Sequence, residues 1–143
     1  MKSLFPILCL TITSVCFSQD FNYDEVYQPL NDYMHGSSYN DTEQILKAFT
    51  DDATLYLTVR GGEFKRLSPE EYTNFFKNST KGEFNGRDAK LLSLEVQQDI
   101  AIAKIEIAIP KAKIRFIDLL LLKETDSGWK IISKTATRYQ IKQ

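Results

Sequence analysis

The stretch Ile114-Arg115-Phe116-Ile117-Asp118-Leu119-Leu120-Leu121-Leu122 is apolar at both odd and even positions. Successive side chains of a strand point to opposite faces, so this strand is predicted to be covered on both, with one acid in its middle. Strand patterns flank it, at residues 88–97 and 100–109 before and 129–141 after, and the strand itself reads as 112–124. Turns fall at 97–99, at Pro110-Lys111 and at Asp126-Ser127-Gly128. Upstream, residues 54–60 and 63–67 read as a hairpin about Gly61-Gly62.

Helical signals fill the chain before these strands. Val26, Leu30, Tyr33 and Met34 recur at i, i+4, i+7 and i+8, one stripe of a helix over 24–36. Pro29 inside it predicts a kink or a late start. Asn40 or Asp41 caps a short second helix carrying Ile45, Leu46 and Phe49. In Ser68-Pro69-Glu70-Glu71, Ser68 is an N-cap, Pro69 takes the first helical position and Glu71 completes a capping box. The apolar face of that third helix is Tyr72, Phe75 and Phe76. Helices first and a mainly antiparallel meander afterwards make an α+β pattern.

The strand faces divide the surface. One face of 112–124 packs on the helices, and few helices remain for the other, so a second subunit is expected there. In the last strand Trp129, Ile131, Thr135, Tyr139 and Ile141 alternate with Lys130, Lys134 and Arg138. The basic row reads as a solvated outer face.

The first 18 residues have a different character. Lys2 precedes an uncharged apolar run from Leu4 to Phe17, and small residues stand at Cys16 and Ser18. This is a signal-peptide pattern with cleavage after Ser18, which predicts an exported protein, periplasmic or secreted, with one domain over 19–143. The run of 14 residues falls short of the roughly 20 that span a bilayer, and no membrane span is expected. Cys9 and Cys16 both lie in this segment, so the domain has no thiol to serve as nucleophile, metal ligand or disulfide. Beyond it stand 17 basic and 19 acidic residues, a balance without the basic excess of a nucleic-acid-binding chain. One histidine, His35, is too little for a zinc site, and neither a metal nor a cofactor is expected. Helical geometry turns His35 about 200° from Tyr33, onto an exposed face.

The order of several short motifs resembles nuclear transport factor 2-like domains, and more narrowly the branch called putative lumazine-binding proteins. The motifs are Tyr33-Met34-His35-Gly36, Asn40-Asp41, Ala48-Phe49-Thr50-Asp51-Asp52-Ala53, Arg66-Leu67-Ser68, Ala101 to Glu106, Phe116 to Lys123 and Gly128 to Lys134. The resemblance runs from Tyr23 to Tyr139 and implies a cone, a curved sheet wrapped around helices with a pocket at its open end. The superfamily includes ketosteroid isomerases, polyketide cyclases and dehydratases, so the fold alone does not settle activity.

The isomerases within that resemblance supply a chemical test. They are similar to this chain in a helix-one tyrosine eight residues before the Asp that starts helix two, matched by Tyr33 and Asp41. They also carry an acid after an apolar pair in the penultimate strand, matched by Phe116-Ile117-Asp118. The resemblance implies that Tyr33 and Asp118 donate hydrogen bonds to a ligand oxygen, the acid staying protonated. The catalytic base, eight residues past a Phe on the first strand, falls on Leu57. Leucine cannot abstract a proton, and no catalytic residue is assigned.

An acid in a doubly apolar strand must be neutral or paired. Asp118 therefore either faces a ligand or bonds an internal partner such as Tyr33, Arg60 or a backbone amide. Three readings follow. The first is a binder of a small apolar or aromatic molecule, with Tyr33 and Asp118 as polar contacts and Leu57, Tyr56, Phe76 and Trp129 as walls, dimeric through the outer face of the sheet. The second is an isomerase-, dehydratase- or cyclase-type enzyme using Asp118 with Tyr33. The third is a purely structural dimer with a filled cone. An open cavity with Asp118 facing into it would exclude the third; Asp118 bonded only to protein groups in a closed core would exclude the first two.

Overall fold

The computed structural model describes residues 22–58 and 62–141. Its helices are α1 (Tyr23–Ser38), α2 (Thr42–Ala48) and, after two strands, α3 (Pro69–Thr73). The strands are β1 (Phe49–Thr58), β2 (Phe64–Leu67), β3 (Asp88–Gln97), β4 (Ile100–Ile109), β5 (Ile114–Thr125) and β6 (Gly128–Gln140). They form one sheet in the order β2-β1-β6-β5-β4-β3. Among the described residues only β1 and β6 run parallel; every other pairing there is antiparallel. The architecture is the expected α+β one.

The capping chemistry sets the helix starts. Ser68 accepts from the Glu71 N–H while the Glu71 carboxylate accepts from the Ser68 N–H, the full capping box. Asp41, not Asn40, caps α2, accepting from the Gln44 N–H at 3.1 Å. Asn40 instead turns the chain at φ +57°, and its side-chain amide donates to the Thr80 and Glu83 carbonyls. Helix α1 continues through Pro29 to Ser38 rather than starting late. Of the third helix's predicted face, Tyr72 and Phe76 are buried, but Phe75 is 58 % exposed. The helix ends at Thr73, so the spacing that would have gathered all three breaks down there.

The core fills the hollow of the sheet. Val26, Leu30 and Tyr33 of α1 pack on Leu55, Ile105, Ile107, Leu120 and Ile131, all but fully buried. The outer face of β5 is not covered: Leu119 is 40 % and Leu121 48 % exposed. The expectation of two buried faces is thus met on one side within a single chain.

The basic row of the last strand requires correction. Lys134 is 3 % exposed, not solvated. The pairing of β6 with β5 slips between Leu121 and Leu122, whose partners are Ser133 and Ile131, so Ile132 is an extra residue in the ladder. Such a bulge inverts the alternation beyond it. Trp129 and Ile131 point inward before the bulge, Lys134 and the half-buried Ala136 after it.

The segment before Asn22, including the signal-peptide pattern, lies outside the described residues, as do Arg60 and Gly61. Thr58 pairs with Phe64, so β1 and β2 are adjacent antiparallel strands as the hairpin reading requires. Among the described residues no helix is long and apolar enough to cross a membrane.

Candidate functional site

Strand register and the packing of α1 bring three polar side chains together on the concave surface. Asp118 of β5 stands opposite Ala136 of β6, so Lys134, two residues away on the same face, is its diagonal neighbour. A lysine's long stem spans that diagonal, and its Nζ lies 3.1 Å from Asp118 Oδ2. Tyr33, reaching in from α1, donates its hydroxyl to the same Oδ2 at 2.5 Å. The Tyr33 hydroxyl also lies 3.1 Å from that of Tyr72. The ammonium of Lys134 stands over both rings, 5.6 Å from Tyr33 and 5.1 Å from Tyr72.

This cluster is buried. Tyr33 is fully buried and Asp118 is 1 % exposed. Burial pushes the Tyr33 phenol well above its ordinary value, the adjacent Asp118 carboxylate adds to the rise, and the Arg87 charge opposes it. Tyr33 therefore stays a neutral donor. The acid and the tyrosine come together, but the acid's two contacts are protein groups in closed surroundings, so the expectation that Tyr33 and Asp118 are the polar contacts of a ligand or the acid of an enzyme is corrected: the pair is internal.

The other predicted residues scatter. Leu57 is buried on the concave face beside the Asp118 row, and Phe76 is buried against Tyr72. Tyr56 points the other way: it is 38 % exposed on the outer face and stacks on Phe64, with centroids 6.2 Å apart. Trp129 is buried but pairs with Glu124, six residues along β5 from Asp118. At about 3.3 Å per residue that is some 20 Å away, at the opposite end of the sheet. The clefts at that end are about 390 Å³ beside Phe49 and Lys130, and about 280 Å³ beside Pro29 and Trp129.

His35 is exposed, as its helical position predicts; it stacks on Tyr39 and meets Gln44 at 2.7 Å. No group of three or more His, Cys, Asp or Glu that could hold a metal is found among the described residues.

Two cations of the concave face escape the sequence patterns. Lys134 is hidden by the bulge, whose one sequence signal is the apolar pair Ile131-Ile132 breaking the alternation. Arg87 lies in the loop before β3, its guanidinium 5.5 Å from the Phe76 ring and 5.7 Å from the Phe116 ring. Its buried Nε has no hydrogen-bond partner. Asn85 fixes the approach: its carbonyl oxygen accepts from the Arg87 N–H, and its amide donates to Asn40 and to the Ser37 carbonyl.

Comparisons with known proteins agree with this geometry at the level of fold. The family described as "Putative lumazine-binding" matches residues 22–136. Among solved structures, an NTF2-like protein of unknown function from Shewanella baltica is similar at 19 % identity and TM-score 0.70, covering 82 % of this chain and 93 % of that one. NTF2-like proteins of unknown function from Silicibacter pomeroyi and Methylobacillus flagellatus are similar at 21 % and 22 % identity, both with TM-score 0.69. Each covers 81 % of this chain, with 94 % and 90 % of the respective relative. No curated protein matches.

Proposed function

The chain belongs to the putative lumazine-binding family of the nuclear transport factor 2-like superfamily, and from that premise we propose that it is an exported, dimeric binder of a small, largely apolar molecule. The ligand seat is the open end of the cone. One observation carries this reading: Ala89, Leu91, Phe116 and Ala136 pack on the core from the concave face yet are only half-buried. Apolar surface gathered in a concavity and left partly uncovered is what a small-molecule site offers.

The buried cluster is the floor beneath that seat. Asp118 Oδ2 already accepts from Tyr33 and lies against the Lys134 ammonium, so it is not placed to take a substrate proton. Leu57, at the position of the isomerases' base, has no proton chemistry. These two facts speak against catalysis through Asp118, and the first speaks equally against Tyr33 and Asp118 as ligand contacts, so the binding proposed here is a site at the rim in place of the expected one. They also separate the floor from the ligand contacts, which lie above it rather than at Asp118.

Export rests on Lys2, the apolar run from Leu4 to Phe17 and the confinement of both cysteines to that segment. Dimerisation rests on the outer sheet face, where Ile102 stands opposite Leu121 and both are exposed. The binding reading is tested by native mass spectrometry of protein purified gently from its own host. A co-purified small molecule, absent from a Phe116→Asp variant of unchanged melting temperature, is expected. A chain that carries no such mass and whose melting point no small-molecule panel shifts would not be a binder.

A further inference from the structure

We infer that the molecule taken at the open end is an organic anion, its carboxylate or sulfonate held by Arg87 and its apolar body laid against the half-buried Phe116. The inference rests on the small-molecule reading and specifies its ligand class.

It begins from a charge imbalance. The concave face carries Lys134, Arg87 and Arg138 against one buried carboxylate, Asp118. Arg138 stands opposite Phe116 in the ladder, so their side chains leave the sheet on the same side. Asp118 is already bound to Lys134, and neither arginine forms an ion pair with it. Glu106 is on the outer face, paired with Arg115.

Arg87 is the outer end of this imbalance. Its Nε is buried without a partner, while the ring faces of Phe76 and Phe116 supply only part of what water gave the guanidinium. A guanidinium presents a planar fork of donors that matches a carboxylate with two parallel hydrogen bonds. The half-buried Phe116 ring beside it would at the same time contact an aromatic or aliphatic body. A neutral ligand would meet the Phe116 ring and leave the guanidinium without a counter-charge, whereas an anion meets the ring and supplies one.

The Asn40–Asn85 bond, 2.7 Å long, fixes the loop that presents Arg87, so the guanidinium is held in place before any ligand arrives.

The test uses two fluorescent probes of nearly equal shape, one charged. The purified protein is titrated with 8-anilinonaphthalene-1-sulfonate and with the neutral N-phenyl-1-naphthylamine, and Kd is read for each. The expected result is at least tenfold tighter binding of the sulfonate. Arg87→Gln should weaken the sulfonate by about that factor and leave the neutral probe within twofold; Arg87→Lys, which keeps the charge but loses the fork, should fall between. The neutral probe reports that each variant retains its apolar seat. Equal affinity for the two probes, or a sulfonate Kd indifferent to Arg87→Gln, would overturn the anion assignment while leaving small-molecule binding intact. Failure of both probes to bind would overturn the binding reading and this one with it.

Discussion

The ammonium of Lys134 and the carboxylate of Asp118 meet at 3.1 Å with both side chains about 2 % exposed, making a buried ion pair on the concave face of the sheet. Pairing offsets desolvation without much surplus, whereas removing one partner strands the other in a dry interior. Lys134→Met or Asp118→Leu alone should therefore cost about 3–5 kcal/mol. The double variant should recover most of that loss. Urea denaturation of the four proteins gives the coupling directly. Additive losses in the double variant would mean that the two charges are not stabilised by each other.

Tyr33 shares the same carboxylate oxygen, so its removal is a different experiment. Tyr33→Phe keeps the ring, its edge-on contact with Phe49 and its place under Lys134, and removes only the donor. Hydrogen bonds to charged acceptors contribute about 1.5–3 kcal/mol, and the loss should fall in that range. If the hydroxyl is instead peripheral, the variant melts like the parent protein.

Asn40 ties three parts of the chain together through its side chain: the carbonyls of Thr80 and Glu83, and the amide of Asn85. It also sits at φ +57°, which asparagine tolerates better than alanine. Asn40→Ala should destabilise by about 2–4 kcal/mol, as three hydrogen bonds and a backbone preference are lost together. Faster hydrogen exchange over residues 80–87 should accompany the loss. Exchange unchanged there, with stability lowered elsewhere, would place the role of Asn40 in the turn alone.

How far these contacts can be read from residues alone differs from one to the next. The approach of Tyr33 to Asp118 is visible in spacing, because a helix stripe and a strand parity each fix one face and the resemblance supplies their pairing. Lys134 is not, because a single extra residue at Ile132 reverses the parity of everything after it. Alternation before the bulge correctly places Trp129 and Ile131 inward, and the same rule carried past it places Lys134 outside. Tyr56 fails for the converse reason: residue type suggests a wall, but its parity on β1 turns it outward while Leu55 and Leu57 turn in. Trp129 does face in, at the wrong end of the sheet, a distance that no pattern of polarity along one strand encodes. Arg87 lies in a loop, where periodicity carries no information.

The outer face of the sheet gives a prediction about assembly. Leu119 and Leu121 of β5 and Ile102 of β4 are exposed together, an apolar patch crossed by Lys104 and Glu106. If this face pairs two chains, Leu121→Glu should convert a dimer to a monomer in light scattering without lowering the helix content. A substitution on the opposite rim, such as Phe75→Glu, should leave the dimer intact. A parent protein that is monomeric at micromolar concentration removes the proposal.

Asp41 sets an acid limit on the fold. Burial works against its ionised form, but the Gln44 N–H and the ammonium of Lys81 outweigh this and lower its pKa below the ordinary 3.8. A carboxylate with a lowered folded-state pKa contributes stability that is fully present above the unfolded value. That contribution fades as the pH falls from 3.8 through the folded value, because the unfolded chain takes up its proton first. The carboxylate caps α2 and pairs with Lys81 at 3.2 Å, so protonation weakens both the helix start and the loop that Lys81 belongs to. The slope of stability against pH attributable to Asp41 should therefore lie below about pH 4 and be absent between about pH 5 and 8. Asp41→Asn preserves an N-cap acceptor but cannot titrate, so it should lose that portion of the acid slope while still forming α2. Denaturant midpoints for both proteins from about pH 2.5 to 8 measure it. An Asp41→Asn curve parallel to the parent's throughout would assign the acid sensitivity to other carboxylates.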